Sequence, residues 1–147
     1  MSANSKGALL ERQAKELLES EGYLVHRTIR TPIVKWLGGA TKVIGSHNND
    51  VFGVFDLIAG QRNLGFRFIQ VTTVENVSAR RHKVEEVAKR LPDISGVTYE
   101  VWGWVAGRRR RHATTGEFLR RQYFQTHTFV MDEWIDTTPD NAGRIDK

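Results

Sequence analysis

Residues 51–76, VFGVFDLIAGQRNLGFRFIQVTTVEN, hold two bulky apolar runs separated by QRNLG. Side chains two apart on a strand share a face, so FRFIQVTT (66–73) points the Gln70 amide and the Thr72 hydroxyl the same way out of an apolar background. A five-residue connection at 61–65 between antiparallel strands sets Gly60 opposite Phe66. The same register sets Asp56 opposite Gln70 and Val54 opposite Thr72. A carboxylate inside VFDLIA costs free energy unless it is solvated, hydrogen-bonded or bound to a cation. Asp56, Gln70 and Thr72 therefore form a candidate site on one sheet face.

The flanking sequence supplies a sheet with helices. Leu10, Ala14, Leu17 and Leu18 mark one helical stripe over about 7–21, with Asn4 or Ser5 as cap and Gly22 as stop. YLVHRTI (23–29) reads as a strand. Residues 31–50, broken by Pro32, Gly38, Gly39 and Gly45, read as a loop with a short strand inside. After Ser78, Val84, Val87, Ala88 and Leu91 recur at helical spacing until Pro92. VTYEVWGWVA (97–106) and RQYFQTHTFVM (121–131) form an expected hairpin, with GRRRRHATTGEFLRR as a loop between them. The fold class is α/β: one domain over 1–131, a central mixed sheet flanked by helices in the order α-β-β-β-α-β-β, and an acidic, partly disordered tail over 132–147.

Composition narrows the function. A chain of 147 residues is long enough to bury one core. With no cysteine there is neither disulfide nor thiolate metal site, which suits a reducing cytoplasm; the expected location is cytoplasmic and DNA-associated. The N-terminal segment carries charges at Glu11, Arg12, Lys15, Glu16 and Glu19, so no signal core is expected, and no apolar run approaches the roughly 20 residues of a membrane helix. The five histidines lack ligand spacing for zinc. GATKVIG lacks the GK[ST] ending of a phosphate loop and no GxSxG elbow occurs, so no nucleotide cofactor is expected.

The charge is uneven. The net charge is +5, but residues 132–147 carry −3 and residues 1–131 carry +8. Between Gly107 and Tyr123, six arginines (Arg108, Arg109, Arg110, Arg111, Arg120, Arg121) face only Glu117, with Trp102, Trp104 and Tyr123 nearby. Such a mixture grips phosphates and stacks on bases. Arg80, Arg81 and Lys42 are further candidates for contact with DNA.

The order GALLERQAKELLESEGYLVHR, VFDLIAG, FRFIQVTT and SARRHKVEE, over roughly 7–90, resembles the PD-(D/E)xK nuclease superfamily with its restriction endonuclease-like core, and within it the archaeal-type Holliday junction resolvases. The resemblance implies a metal-dependent DNA endonuclease, acting on duplex or branched DNA as a homodimer with Mg²⁺ or Mn²⁺. It places Asp56 as the metal-binding acid, Gln70 in place of the second acid, Thr72 in place of the motif lysine and Glu11 as the helix acid. Asp56, Gln70, the Val71 carbonyl and Glu11 would then hold the metal. The Thr72 substitution leaves the catalytic cation to Lys83, with Arg81 and Lys42 as weaker substitutes. Asp50 is either a turn former or a second acid at the site mouth. The alternative is a non-catalytic nucleic-acid-binding or assembly protein on the same framework, its motif reduced to Gln and Thr.

Overall fold

The computed structural model describes residues 3–47, 49–111, 113–116 and 118–143, with the side chains of 3–5, 108–110 and 118–120 left aside. Helix α1 (Ala3–Ser20) leads into β1 (Leu24–Arg27). The chain continues through β2 (Thr31–Leu37), β3 (Ala40–His47), β4 (Leu57–Gln61) and β5 (Gly65–Thr73). A single 3₁₀ turn (Val74–Asn76) opens α2 (Val77–Ala88), followed by β6 (Val97–Arg111), β7 (Phe118–Val130) and β8 (Glu133–Asp136). Six strands form a mixed sheet in the order β1-β4-β5-β6-β7-β8, and β2 and β3 form a separate two-stranded sheet. Among the described strands only β5 and β6 run parallel, joined through α2. No helix among the described residues is long and apolar enough to cross a membrane.

The helical stripes read from the sequence are buried in part: Leu17 of α1 is 43% exposed, Val87 is half-buried, and Leu91 lies past the end of α2. Leu10, Ala14 and Leu18 of α1 pack on Leu57, Ala59, Ile69, Val71, Trp102 and Phe124 on one face of the sheet. Val77, Val84 and Ala88 of α2 pack with Phe55, Tyr99, Val101 and Phe129 on the other. Neighbours along β5 alternate between these cores, as a period of two requires. Glu100 is 2% exposed inside this framework. Its carboxylate accepts two hydrogen bonds from the Arg67 guanidinium at 2.7 Å each, one from Thr98 at 2.6 Å and one from Trp102 at 3.0 Å. Truncating one partner of such a pair strands the other charge, so Glu100→Ala should cost about 3 kcal/mol or more in chemical denaturation.

Four expectations are corrected. Residues 31–47 are not a loop but the β2–β3 hairpin. Residues 51–56 are not strand: Val51 bridges Phe55 across a tight turn, with Phe52 and Gly53 at φ 54° and 77°, and β4 starts only at Leu57. Residues 107–121 are not simply a loop, because β6 runs on to Arg111 and β7 begins at Phe118, pairing Arg109 with Arg120 across a bulge. The acidic tail does not begin at 132: Glu133–Asp136 pair with β7, and the backbone N–H groups of Thr137 and Thr126 donate to the Thr126 carbonyl and the Thr138 hydroxyl. Residues 144–147 lie outside the described residues.

Candidate functional site

The β4–β5 register is the one that the sequence parity dictates: Gly60 lies opposite Phe66, Ile58 opposite Phe68 and Leu57 opposite Ile69, although the connection is shorter than expected because Gln61 also pairs with Gly65. The Asp56 N–H still donates to the Ile69 carbonyl, and the residues before Asp56 turn away from β5. The Val71 N–H thus lies past the end of β4, and a buried N–H needs an acceptor. It donates to Asp56 Oδ2 at 2.8 Å. Gln70 Nε2 donates to the same Oδ2 at 2.7 Å and to the Val71 carbonyl at 3.2 Å. Asp56, Gln70 and Thr72 are all buried, at 5%, 6% and 8% exposure.

These groups form the floor of a cleft of about 700 Å³ between the start of α1, the start of α2 and the end of the sheet where β4 and β5 part. Glu11, Asp50, Lys83 and Arg80 line it together with Asp56, Gln70, Val71 and Thr72. Burial, opposed by the Val71 N–H, pushes the Asp56 carboxyl up to about 8, and the nearby charges of Glu11 and Asp50 push the same way, as does a hydrogen bond shared with Glu11. A carboxyl beside two other acids prefers a proton or a cation for company.

Asp50 stands at the head of the turn and also lines the cleft. Its carbonyl accepts the Gly53 N–H in the turn, while its carboxylate accepts the Thr28 hydroxyl at 3.0 Å at the cleft. Glu11 is held by Arg27, whose Nε donates at 3.2 Å. Thr72 places no cation here. Lys83 lines the cleft, and so do Lys6, Arg27, Arg30 and Arg80, of which only Lys83 and Arg80 were singled out from the sequence. Contacts between α1 and the β1 end are non-local, so the sequence carried no signal for Arg27 or Lys6. Arg81 is corrected out of the site: its guanidinium lies 5.0 Å over the Trp134 ring, toward β8. Lys42 also lies elsewhere, on the β2–β3 hairpin, opposite Lys35. Arg121 lies 4.8 Å over the Tyr123 ring and donates to the Ala142 carbonyl, while the side chains of Arg108, Arg109, Arg110 and Arg120 lie outside those described.

Among the described residues, no three His, Cys, Asp or Glu side chains group tightly enough to hold a metal by themselves. A cation at Asp56 would therefore draw on neutral oxygens as well. The Gln70 carboxamide already reaches both the Asp56 carboxylate and the Val71 carbonyl. Half a turn of that amide exchanges its two ends and brings three oxygens together, an arrangement that either a proton on Asp56 or a bound cation stabilises. An all-oxygen set of this kind fits a hard divalent ion such as Mg²⁺ or Mn²⁺, held more weakly than by two acids because Gln70 is neutral. No protein-family model matches the chain, no curated protein matches it, and no solved structure matches it.

Proposed function

We propose that the protein is a divalent-metal-dependent nuclease that hydrolyses phosphodiester bonds of DNA in this cleft. The observation that carries the reading is the convergence of the buried Asp56 carboxylate, the Gln70 amide and the Val71 carbonyl beneath a rim of cations. The order of α1, the antiparallel β1-β4-β5 group and the parallel β5-α2-β6 unit supports it as well, since it fits the restriction endonuclease-like core that the sequence resembles.

Asp56, Gln70 and the Val71 carbonyl would hold the ion, with Glu11 completing the set. Bound there, a divalent cation supplies Lewis acidity at the phosphate and makes water a stronger nucleophile near neutral pH. The chain's own groups do the rest. Lys83 and Arg80 on α2 line the cleft and would offset charge gathering on the phosphate in place of the absent motif lysine. Lys6 and Arg30 attract the flanking backbone. Thr28 and Arg27 fix the Asp50 and Glu11 carboxylates, so that both acids stay turned toward the cleft.

The sheet also provides length for a polymer. β5 ends at Thr73, paired with Trp104, while β6 continues for seven more residues to Arg111. That overhang of about 20 Å leaves from the cleft end of the sheet and carries the arginine run. A two-fold dimer fits a substrate that needs paired incisions, and sedimentation with and without DNA should show a species of twice the chain mass.

The experiment is cleavage of an end-labelled four-way junction and of its linear arms, in Mn²⁺ and in EDTA, with Asp56→Ala beside the wild type. Cleavage in Mn²⁺ alone, lost in the variant, is expected. A second reading, a non-catalytic DNA-binding protein, draws on the two N–H groups that already satisfy Asp56 Oδ2. It predicts binding without cleavage under every one of these conditions.

A further inference from the structure

The β2–β3 hairpin takes no part in the chemistry of the cleft. Among the described residues its strands pair only with each other, in a sheet separate from the other six strands. Opposed residues share a face, so Val34, Val43 and Trp36 lie together on one side while Lys35 and Lys42 stand opposite each other on the other. Trp36 and Val43 are each 68% exposed and Val34 is 51% exposed. From Gly22 to Asn49 the chain carries Arg27, Arg30, Lys35 and Lys42 and no acid at all.

Both faces are unfavourable in water. A two-stranded ribbon is marginal by itself, an exposed tryptophan beside an exposed pair of valines forfeits burial, and like charges directly opposed on a ribbon repel. Among the described residues neither Lys35 nor Lys42 meets a carboxylate. One occupant relieves both costs if it offers a flat apolar surface on one side of the ribbon and anions on the other.

A nucleic acid opened at a branch or fork has that chemistry. The last base pair of the stack presents an aromatic face, and the departing strand brings phosphates. The ribbon is also placed to meet it. Thr28, Ile29 and Arg30 lead from the cleft into β2, Asp50 lines the cleft just after β3, and Asn49 Nδ2 pins the base by donating to the Ile29 carbonyl and the Thr31 hydroxyl.

We infer that β2–β3 is a wedge for branched or forked nucleic acid, with Trp36 stacked on the exposed base pair and Lys35 and Lys42 holding the phosphates of the strand that leaves. This rests on the cleft being a phosphodiester site and adds the structure of the substrate it selects.

The test measures binding, without turnover, by fluorescence anisotropy in EDTA. A forked duplex carrying 2-aminopurine at the branch is compared with a blunt duplex of equal length. Wild type should prefer the fork. Trp36→Ala should lose roughly 10-fold or more of that affinity, as removal of a stacking aromatic does, keep its affinity for the blunt duplex and abolish the change in 2-aminopurine emission. A Lys35→Ala/Lys42→Ala variant should flatten the log–log salt dependence on the fork by about one to two units. Unchanged melting temperatures should show that both variants fold.

Equal binding of fork and duplex by wild type, or an unaltered fork affinity in Trp36→Ala, overturns the wedge. Conversion of a dimer to a monomer by Trp36→Ala, with fork affinity intact, assigns the ribbon to a second copy of the chain instead. Fork preference without any Mn²⁺-dependent cleavage keeps the wedge and removes the nuclease, whereas cleavage without fork preference does the reverse.

Discussion

Asp56→Asn should abolish cleavage and at the same time make the protein more stable. The substitution preserves shape and an oxygen acceptor for the Val71 N–H and the Gln70 amide, so folding does not need the charge. Loss of the charge should lower the cleavage rate by well over about 100-fold, beyond the 10–100-fold typical of a residue that only supports a metal ligand. Binding of DNA should persist or tighten, because a negative charge near phosphate is gone.

The stability change has a defined pH window. An unfolded Asp56 titrates near 3.8, and in the native cleft it titrates at about 8. The native state therefore holds the proton more tightly, and the wild type loses stability as pH rises from about 4 to 8. In EDTA, Asp56→Asn should lose none of this and be more stable than wild type by several kcal/mol at pH 8, with little difference at pH 4. Thermal melts at both pH values decide it. A variant less stable than wild type at pH 8 would mean that the carboxylate is a structural acceptor and that the raised titration has another origin.

The second large effect concerns the arm. Replacing Arg108, Arg109, Arg110 and Arg111 with alanine should flatten the log–log salt dependence of duplex binding by up to about three or four units, at roughly 0.9 per phosphate neutralised. Affinity should fall for every sequence alike, because phosphate contacts position a duplex without reading it. The segment pairs with β7 beyond the end of β5, so the melting temperature should move little. An unchanged slope would transfer DNA binding to the cleft rim at Lys6, Arg30, Arg80 and Lys83.

Asp56 and Gln70 were legible in the sequence because strand parity is a short-range rule: the register of FRFIQVTT against DLIAG follows from one connection. The two helices were legible for the same reason, each having an apolar stripe with a single sheet face to cover. The hairpin at 31–47 was missed because its glycines were read as breakers. Gly38 and Gly39 instead supply the two positive φ angles, 59° and 84°, of a two-residue turn that closes Leu37 on Ala40. Pro32 is tolerated because β2 has a partner on one side only.

VFGVF misled in the opposite direction. Its apolar residues suit a strand, yet Phe55 and Val54 are buried against α2 from a turn. That turn exposes the Val71 N–H to Asp56. The arginine segment lacks alternation, and pairing with β7 rather than its own pattern makes it strand. The Glu11–Arg27 pair joins α1 to β1, a contact that no local spacing encodes.

The cation is the point on which the whole account turns, and its linkage to stability is the most direct measurement. Wild type and Asp56→Asn should be melted at pH 8 in EDTA and in excess Mn²⁺. A ligand at 100 times its dissociation constant stabilises the folded state by about 2.7 kcal/mol, so wild type should gain several degrees in Mn²⁺ while Asp56→Asn gains none. Equal shifts in the two proteins, or no shift in either, would contradict a metal site at Asp56.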